Sequence, residues 1–348
     1  MNESDLNNWP GVTTKVKFSI ILPVKNGGEY VKECVKSILS QTLNDFNLLV
    51  LDNCSTDGTL QWIESLNDER IIIYSSTTPL SIEENWGRIF IIQKNEYITL
   101  IGHDDILKPD YLKVMNDLIN EFPDAALYQT HFAYIDSKGK NIRSCKPMKE
   151  IENGPEFLQS ILQNRIDIVG TGFMMRAKDY DELCGIPLYP NLLFADFELW
   201  LNLTAKNYKA TSPVEGFYFR LHQSTTSVSS DVKYQLAFER FIYFLETLKL
   251  KDTTYQKVIV ENADKFIMFY CKSLSHRILR TPKEKRENLS VNSVLQKGKE
   301  YSNLLTSNKN FNPLSNSTIL LARMVDSNTI TRKVFLLFKK IYGKPVLK

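Results

Sequence analysis

The sequence lacks the features that mark several common protein classes. Its five cysteines are scattered and form no Cys-x-x-Cys pair, which excludes a zinc finger or a redox dithiol and favours a reducing compartment. No run of about 18 apolar residues occurs, so we expect no membrane-spanning segment. The chain begins with the polar, acidic stretch MNESDLNNWPG, which is unlike a signal peptide. We therefore expect a cytoplasmic protein.

The sequence does contain enough apolar material for a large core. It has 348 residues, of which 43% are hydrophobic and 24% charged. At ~150 residues per domain this length corresponds to about two domains, and the composition excludes a disordered or collagen-like chain. The charge is unevenly divided. Residues 1–230 have a net charge of −9 and residues 231–348 one of +12, so an acidic region precedes a basic one.

Apolar strands alternate with helices in the acidic region. The sequence predicts strands at 17–24, 46–51, 71–74 and 97–101 and helices at 30–39, 58–66, 82–93 and from about 108. This alternation predicts an α/β fold with a mostly parallel, Rossmann-like sheet flanked by helices. Ligands of such sheets bind beyond the carboxyl ends of the strands. Asn26, Asp52 and the pair Asp104-Asp105 each follow a strand, so we expect them at one edge.

The rest of the chain follows other patterns. Strands are predicted at 125–134 and 168–176, and a helix with an acidic first turn at 194–205. From about residue 231 the pattern is helical, with predicted helices at 235–250, 255–280, 291–305 and 316–342. We therefore expect an α/β domain at 1–230 and a basic, mainly helical region at 231–348.

Asp104-Asp105 has two interpretations. Adjacent carboxylates repel and raise each other's pKa unless a cation joins them, and Mg²⁺ or Mn²⁺ suits carboxylate and phosphate oxygens. The alternative is that the pair caps the helix expected from about residue 108. Asp52 is similarly ambiguous, because it can accept a hydrogen bond from a base or ribose, or form part of a turn with Ser55 and Asp57.

Together these segments resemble the opening of the family 2 glycosyltransferases, which have the GT-A fold. The family pattern is an apolar strand, Pro-x-x-Asn, a helix ending in Ser-x-x-x-Gln-Thr, and a second strand leading to Asp-Asp/Asn-x-Ser-x-Asp-x-Ser/Thr. The matching positions here are Pro23, Asn26, Ser37, Gln41, Thr42, Asp52, Asn53, Ser55, Asp57 and Thr59. The segments NEYITLIGHDDILKPDYL, with Asn85-Trp86 before it, ADFELWLNL and YFRLHQSTTS extend the similarity across roughly 17–228. The sequence departs from the family at Gly102-His103, where many members have Asp-x, and at Ala195, where the family has Glu.

The resemblance implies that 1–230 is a nucleotide-sugar-binding and catalytic domain. It also implies a role for each matching position. Pro23, Val24, Asn26 and Asn85 would line the nucleotide pocket, and Asp52 would contact the base. Asp104 would meet the ribose and the metal shell. Asp105 would ligate the metal, with His222 near the metal or diphosphate and Arg220 helping to neutralise it. Asp196 would be the general base. Gly170-Thr171-Gly172 would border the acceptor pocket, although glycines that ease a strand bend explain this segment equally well.

These roles imply an inverting glycosyltransferase that uses Mn²⁺ or Mg²⁺ and a nucleotide-diphosphate sugar, with UDP expected as the nucleotide. The acceptor would be a glycan or lipid-linked glycan, in the synthesis of a bacterial surface polysaccharide. Two alternatives remain: a nucleotidyltransferase, which would need a basic Gly-rich triphosphate loop after strand one, and a non-catalytic sugar-nucleotide-binding module.

The basic C-terminal region suggests a further partner. Five apolar residues recur at helical spacing among basic ones: Val334, Leu337, Phe338, Ile341 and Tyr342. The surrounding cations are Arg332, Lys333, Lys339, Lys340, Lys344 and Lys348. Such a basic amphipathic helix can lie on an anionic membrane surface, which would make the protein peripheral on the inner face of the cell membrane. The alternative is a helix packed on its neighbours with a solvated lysine face. No nucleic-acid-binding module is evident.

Overall fold

The computed structural model describes residues 16–222 and 229–341, with the side chains of 339–341 left out. These residues form two compact units. The first contains residues up to 157 together with 165–222, and the second contains residues 158–164 and those from 229 onward. The first unit holds the sheet, and the second is helical.

The first unit is built on a curved ten-stranded sheet whose path is β3-β2-β1-β4-β9-β6-β10-β5, with β7 beside β6 and β8 beside β10. The strands are β1 Phe18–Val24, β2 Phe46–Asp52, β3 Ile71–Ser75, β4 Tyr97–Leu100, β5 Ile106–Leu107, β6 Leu127–Ile135, β7 Asn141–Ser144, β8 Ile151–Glu152, β9 Phe173–Arg176 and β10 Lys209–Arg220. The helices are α1 Gly28–Leu39, α2 Thr59–Ser65, α3 Ile82–Gly87, α4 Tyr111–Glu121, α5 Gly154–Leu162, α6 Ala177–Glu182 and α7 Ala195–Lys206.

The predicted parallel sheet is confirmed for its first four strands. β3, β2, β1 and β4 are mutually parallel, and every residue of β1 and β2 is buried, as their continuous apolar runs predicted. The sheet then becomes mixed, because β9 runs antiparallel to both β4 and β6. β10 returns parallel to β6.

Three predicted elements differ in extent. The strand expected at 168–176 begins only at Phe173, because Gly172 has a φ of +77° that extended strand residues do not adopt. The helix expected at 82–93 ends at Gly87 and continues as a 3₁₀ turn, since glycine is a poor helix former. The helix expected from about 108 begins at Tyr111, because residues 106–107 pair with β10 as β5.

Besides residues 158–162 of α5, the second unit contains five α-helices among the described residues: α8 Asp231–Lys251, α9 Thr253–Arg280, α10 Val291–Thr306, α11 Ser317–Ser327 and α12 Thr329–Ile341. The single helix predicted at 316–342 is therefore two helices. The break falls at Asn328, whose side chain accepts hydrogen bonds from the backbone N–H of Ile330 and Thr331 and so starts a new helix. No helix in the ranges 16–222 and 229–341 is both long and apolar enough to cross a membrane.

A buried arginine, which the sequence did not indicate, joins α3 to the ends of β2 and β3. Nη1 of Arg88 donates to the backbone oxygen of Asp52 at 3.0 Å and to Oδ1 of Asn85 at 2.9 Å. Nη2 donates to the backbone oxygen of Tyr74 at 2.6 Å. Asn85 in turn donates to the backbone oxygen of Leu51 at 3.2 Å. The two side chains therefore fix the strand end at which Asp52 lies.

We expect Asn85→Ala to lower the free energy of unfolding by about 1–3 kcal/mol, because it removes two buried hydrogen bonds, one to the Leu51 carbonyl and one from Nη1 of Arg88. Urea unfolding followed by circular dichroism measures this value. Asn141→Ala is the matched control, since Asn141 is exposed on β7, and it should change stability by less than about 0.5 kcal/mol. Equal stability of the two variants would show that the amide of Asn85 does not support the strand end.

Candidate active site

Asp52 ends β2 with a carboxylate that is only partly satisfied. The residue is 1% exposed, and Oδ2 accepts a hydrogen bond from the backbone N–H of Ser55 at 3.3 Å. Oδ1 is buried and has no hydrogen-bond partner among the described residues. A buried acceptor without a donor is costly, so this oxygen is positioned to receive an N–H or O–H from a ligand. The turn expected around Ser55 is also present, so the two interpretations of Asp52 are compatible.

The loop after β1 is hydrogen-bonded to the loop after β2. Asn26, with a φ of +52°, donates from its backbone to Oγ of Ser55 at 2.9 Å, and its side-chain oxygen accepts from the backbone N–H of Thr56 at 2.7 Å. Asp57 accepts from the backbone N–H of Gly28 at 3.0 Å. These bonds bring two predicted motifs, one from each strand end, into a single rigid surface.

Pro23 and Val24 close β1 beside this surface. They pair in register with Leu51 and Asp52 of β2, and Val24 is buried. The backbone oxygen of Val24 accepts from the N–H of Asn53 at 2.9 Å. Both residues therefore lie next to Asp52, as expected of neighbouring parallel strand ends. Asn85 is instead buried behind β2 with its amide engaged by Leu51 and Arg88, so its nucleotide-binding role stays a prediction.

Asp104 and Asp105 follow β4, and Arg220 at the end of β10 holds both. The backbone N–H of Arg220 donates to Oδ1 of Asp105 at 2.8 Å, and its Nε donates to the backbone oxygen of Asp104 at 2.8 Å. Asp105 is 2% exposed. Burial and the adjacent Asp104 carboxylate raise the pKa of Asp105 well above its usual value. Neither aspartate caps α4, which begins at Tyr111 after Asp110.

His222 lies against the same pair. Its Nε2 contacts Oδ2 of Asp104, and its ring lies 4.9 Å from the ring of Tyr30, centroid to centroid. The guanidinium of Arg220 also lies over the Tyr30 ring, 4.6 Å from its centroid, and forms an ion pair with Glu33 at 2.5 Å. α1 thus supplies a tyrosine and a glutamate, three residues apart on one helical face, that orient the groups around the acid pair.

Asp104 and Asp105 have the ligand chemistry that a divalent cation requires. Asp104 and Asp105 supply hard oxygen ligands, and burial and the Asp104 carboxylate raise the pKa of Asp105, an effect that a bound cation would oppose. No group of three or more His, Cys, Asp or Glu side chains in the described part of the chain is arranged to hold a metal by itself. Mg²⁺ and related ions commonly use one or two carboxylates and take their remaining ligands from water and substrate phosphates. The pair is therefore suited to a cation that arrives with a phosphorylated substrate.

Thr171 and its neighbour Gly170 lie beside the acid pair and Asp196, respectively. The Thr171 hydroxyl hydrogen-bonds Asp105 and accepts from the backbone N–H of Gly102 at 3.2 Å. On the other side, a Cβ added to Gly170 would lie 3.7 Å from Oδ2 of Asp196. The loop before β9 therefore passes between the two acidic elements.

Asp196 lies in the first turn of α7, after Phe194, whose φ is +65°. Its Oδ1 accepts from the backbone N–H of Phe197 at 3.0 Å. Burial raises the pKa of Asp196 to about 6, with only backbone hydrogen bonds opposing the effect. A carboxyl group that changes protonation near neutral pH is suited to proton transfer.

Sequence reasoning missed several residues around the predicted ones. They are Tyr30, Glu33 and Arg88. A partial signal existed for Tyr30 and Glu33, which share a helical face immediately after the Pro-x-x-Asn motif. Thr171 is not among them, since the sequence predicts that Gly170-Thr171-Gly172 borders the acceptor pocket. Arg88 stood out solely as a cation in an otherwise apolar stretch, WGRIFII.

Comparison with known proteins agrees with the predicted motifs. Residues 19–184 match the family model described as Glycosyl transferase family 2. An uncharacterised glycosyltransferase of Rickettsia conorii is 28% identical over 189 residues, which are 53% of this chain and 31% of that protein. TuaG of Bacillus subtilis, a glycosyltransferase named for teichuronic acid biosynthesis, is 26% identical over 215 residues, 59% of this chain and 77% of TuaG. The chain thus spans only about a third of the length of the Rickettsia relative.

A solved structure shows the same fold. The crystal structure of residues 1–349 of TarS from S. aureus, in complex with UDP-GlcNAc, has a TM-score of 0.62 and 15% sequence identity. The likeness covers 95% of this chain and 93% of that one. The predicted GT-A fold with C-terminal helices is confirmed. Residues 19–184 are therefore similar to glycosyl transferase family 2, as the motifs of the first two strand ends predicted.

Proposed function

We propose that this chain is an inverting, metal-dependent glycosyltransferase that moves a sugar from a nucleotide-diphosphate donor to a hydroxyl group of a glycan or lipid-linked glycan. The observation that carries the proposal is the convergence of two acidic elements at the carboxyl ends of the sheet. Asp104 and Asp105 are held by Arg220, and Thr171 and its neighbour Gly170 lie beside the acid pair and Asp196, respectively. One element suits a diphosphate with its cation and the other suits a proton acceptor.

The nucleotide would lie across the ends of β1 and β2. The unpartnered Oδ1 of Asp52 would accept an N–H of the base, and Pro23, Val24 and the Asn26 loop would form the adjacent wall. We propose UDP as the nucleotide, since a uracil presents an N–H beside carbonyl oxygens. The complex of TarS with UDP-GlcNAc, a protein of the same fold, supports this choice.

Asp104 and Asp105 would hold the cation, and His222 would orient Asp104 through its contact with Oδ2. A bound Mn²⁺ or Mg²⁺ supplies positive charge next to the diphosphate, whose negative charge grows as it leaves. Arg220 keeps both aspartates in place through its backbone N–H and its Nε. Glu33 and Tyr30 fix the guanidinium in turn.

Asp196 would act on the acceptor. Its carboxylate takes the proton of the acceptor hydroxyl while the hydroxyl oxygen forms a bond to the anomeric carbon. The bond from that carbon to the diphosphate oxygen breaks in the same step, and the diphosphate leaves with the electron pair. One displacement inverts the anomeric configuration, so no covalent enzyme intermediate is required.

The product would belong to a bacterial surface polysaccharide. The similarity to TuaG, named for teichuronic acid biosynthesis, supports this class of product. Of the alternatives, a nucleotidyltransferase would need a basic triphosphate loop after β1, whereas the loop here contains only Lys25 beside Asn26 and two glycines. A non-catalytic module would not need a proton acceptor beside the acid pair, whereas Asp196 lies next to Gly170 and has a pKa that desolvation raises to about 6.

We further propose that α12 contacts an anionic membrane. Its apolar side chains are exposed in the structure: Val334 61%, Leu337 60% and Ile330 73%. Arg332 and Lys333 supply positive charge on the same helix. Tyr342, Lys344 and Lys348 lie outside the described residues, and so do the side chains of Lys339, Lys340 and Ile341. Contact with a membrane would bring the enzyme to an acceptor carried on a lipid.

Asp196→Asn should lower kcat by about 10²–10⁴-fold without weakening donor binding, because it removes the proton acceptor and preserves its shape. The pH profile provides a second readout. Since the pKa is about 6, the wild-type kcat should fall with a slope of one as the pH drops below that value. Steady-state transfer at saturating donor measures both effects.

The matched control is Asp124→Asn, because Asp124 is exposed on the loop after α4 and should leave kcat and the pH profile unchanged. If Asp196→Asn retains wild-type turnover, or retains the acid limb near pH 6, the general base lies elsewhere.

Asp105→Asn should remove the cation-dependent part of donor binding. Replacing a charged oxygen ligand with a neutral amide should weaken binding of UDP in Mn²⁺ by about tenfold or more, while binding in EDTA stays unchanged. Isothermal titration calorimetry of the two conditions measures the difference. Asp117→Asn, an exposed change on α4, should behave like the wild type. A Mn²⁺ dependence that survives Asp105→Asn would contradict the assignment.

The double variant Val334→Ser/Leu337→Ser should reduce binding to phosphatidylglycerol-containing vesicles by about tenfold or more, since each apolar side chain is worth ~1.5–3 kcal/mol on full burial. Vesicle flotation measures the bound fraction. Leu250→Ser/Val260→Ser removes two exposed apolar side chains from α8 and α9 and is the control. Equal binding by the two double variants would rule out α12 as the contact.

A further inference from the structure

The helical second unit contains a cavity of about 320 Å³ with a basic lining. The segment 283–292, which leads into α10, forms one wall, and the C-terminal half of α11 forms the other. The charged side chains that line it are Lys283, Arg286, Arg323 and Asp326. Polar groups of Ser290 and Asn292 complete the wall near the start of α10. All of these residues lie in the second unit.

The single acid in this lining is already engaged. Oδ1 of Asp326 accepts from Nη1 of Arg286 at 2.6 Å, and Oδ2 accepts from the backbone N–H of Val291 at 3.0 Å. Asp326 therefore balances one cation and fixes the start of α10. Lys283 and Arg323 remain in excess over the acid, so the cavity has a surplus of two positive charges.

Arg286 supplies the observation that points to a ligand. Its side chain is 2% exposed, its Nε donates to the backbone oxygen of Thr281 at 2.7 Å, and its Nη1 is bound by Asp326. Its Nη2 is buried and has no hydrogen-bond partner among the described residues. A buried guanidinium N–H without an acceptor is costly, and an oxygen atom in the cavity would satisfy it.

The N-terminus of α10 adds a positive electrostatic potential at the cavity. Ser290 and Ser293 form a reciprocal capping box, and the helix is 16 residues long. The N-terminus of such a helix carries a partial positive charge that stabilises a nearby anion. Nε of Arg323 donates to Oδ1 of Asn292 at 2.9 Å, which joins the α11 wall to the first turn of α10. Lys283 and Arg286 therefore line the cavity from the segment before α10, and Arg323 lines it from α11.

We propose that this cavity binds a phosphate group. Lys283, Arg323 and Nη2 of Arg286 would donate to different oxygens of one anion, and a phosphate offers three or four oxygens in different directions. The proposal concerns a site separate from the donor chemistry above and does not rest on the proposed glycosyl transfer. The phosphate could belong to a soluble ion or to a phospholipid headgroup.

The lipid source has support from other exposed side chains of α11. That helix supplies Arg323 and Asp326 to the cavity, and it also exposes Leu320 by 44%, Leu321 by 57% and Met324 by 60%. A headgroup phosphate in the cavity would place acyl chains beside apolar side chains. The experiment therefore has one arm for each source.

The test variant is Lys283→Ala/Arg323→Ala in the full chain, which removes both surplus cations and leaves the Arg286–Asp326 pair intact. In the first arm, inorganic phosphate is titrated in EDTA and followed by isothermal titration calorimetry. In the second arm, flotation compares vesicles of phosphatidylcholine with and without phosphatidylglycerol. The variant should lose about tenfold or more in affinity in at least one arm, and the affected arm identifies the source.

The matched control is Lys285→Ala/Lys309→Ala, which removes two exposed lysines that do not line the cavity. It should stay within about twofold of the wild type in both arms, because a general loss of charge acts weakly at the surface. UDP binding in Mn²⁺ should be unchanged in both double variants, which separates this outcome from any failure of the donor site. If the test variant and the control bind alike in both arms, the cavity is not a phosphate site.

Discussion

The chemistry proposed for this protein depends on keeping two adjacent carboxylates together at the end of β4. Asp104 and Asp105 repel each other, and the burial of Asp105 adds to the cost. Arg220 offsets this cost through its backbone N–H, its Nε and the charge of its guanidinium. Because Arg220 is the last residue of β10, the pairing of β10 with β6 and β5 determines where that charge lies. β10, in the mixed part of the sheet, therefore positions the two aspartates that follow β4 in the parallel part.

A second constraint is the set of hydrogen bonds that joins the two loops proposed to contact the nucleotide. The loops after β1 and β2 share hydrogen bonds through Asn26, Ser55, Thr56 and Asp57. Several of the conspicuous polar residues of this region are therefore occupied with one another. Asp52 differs, because one of its oxygens is buried with no partner among the described residues. Most polar residues of these two loops therefore bind one another, whereas Oδ1 of Asp52 remains available to a ligand.

Much of the fold could be predicted from the sequence because the relevant signals are local. The apolar runs of β1 and β2 showed buried parallel strands, and the rule for their carboxyl ends brought Asn26, Asp52 and the acid pair to one edge. The partners of those residues could not be predicted in this way. Arg220 meets Glu33 across 187 residues of sequence, and Arg88 meets the Tyr74 carbonyl through tertiary packing. No periodicity in the chain encodes such contacts. Asn328 is a local signal for the break between α11 and α12, since an asparagine in a long helical pattern can begin a new helix.

The most direct measurement of the central claim is a crystal structure of this chain with UDP and Mn²⁺. The uracil is expected against Oδ1 of Asp52, and the ion is expected between the diphosphate and the carboxylates of Asp104 and Asp105. Density for the ion and diphosphate away from that pair, with Asp52 unliganded, would contradict the account.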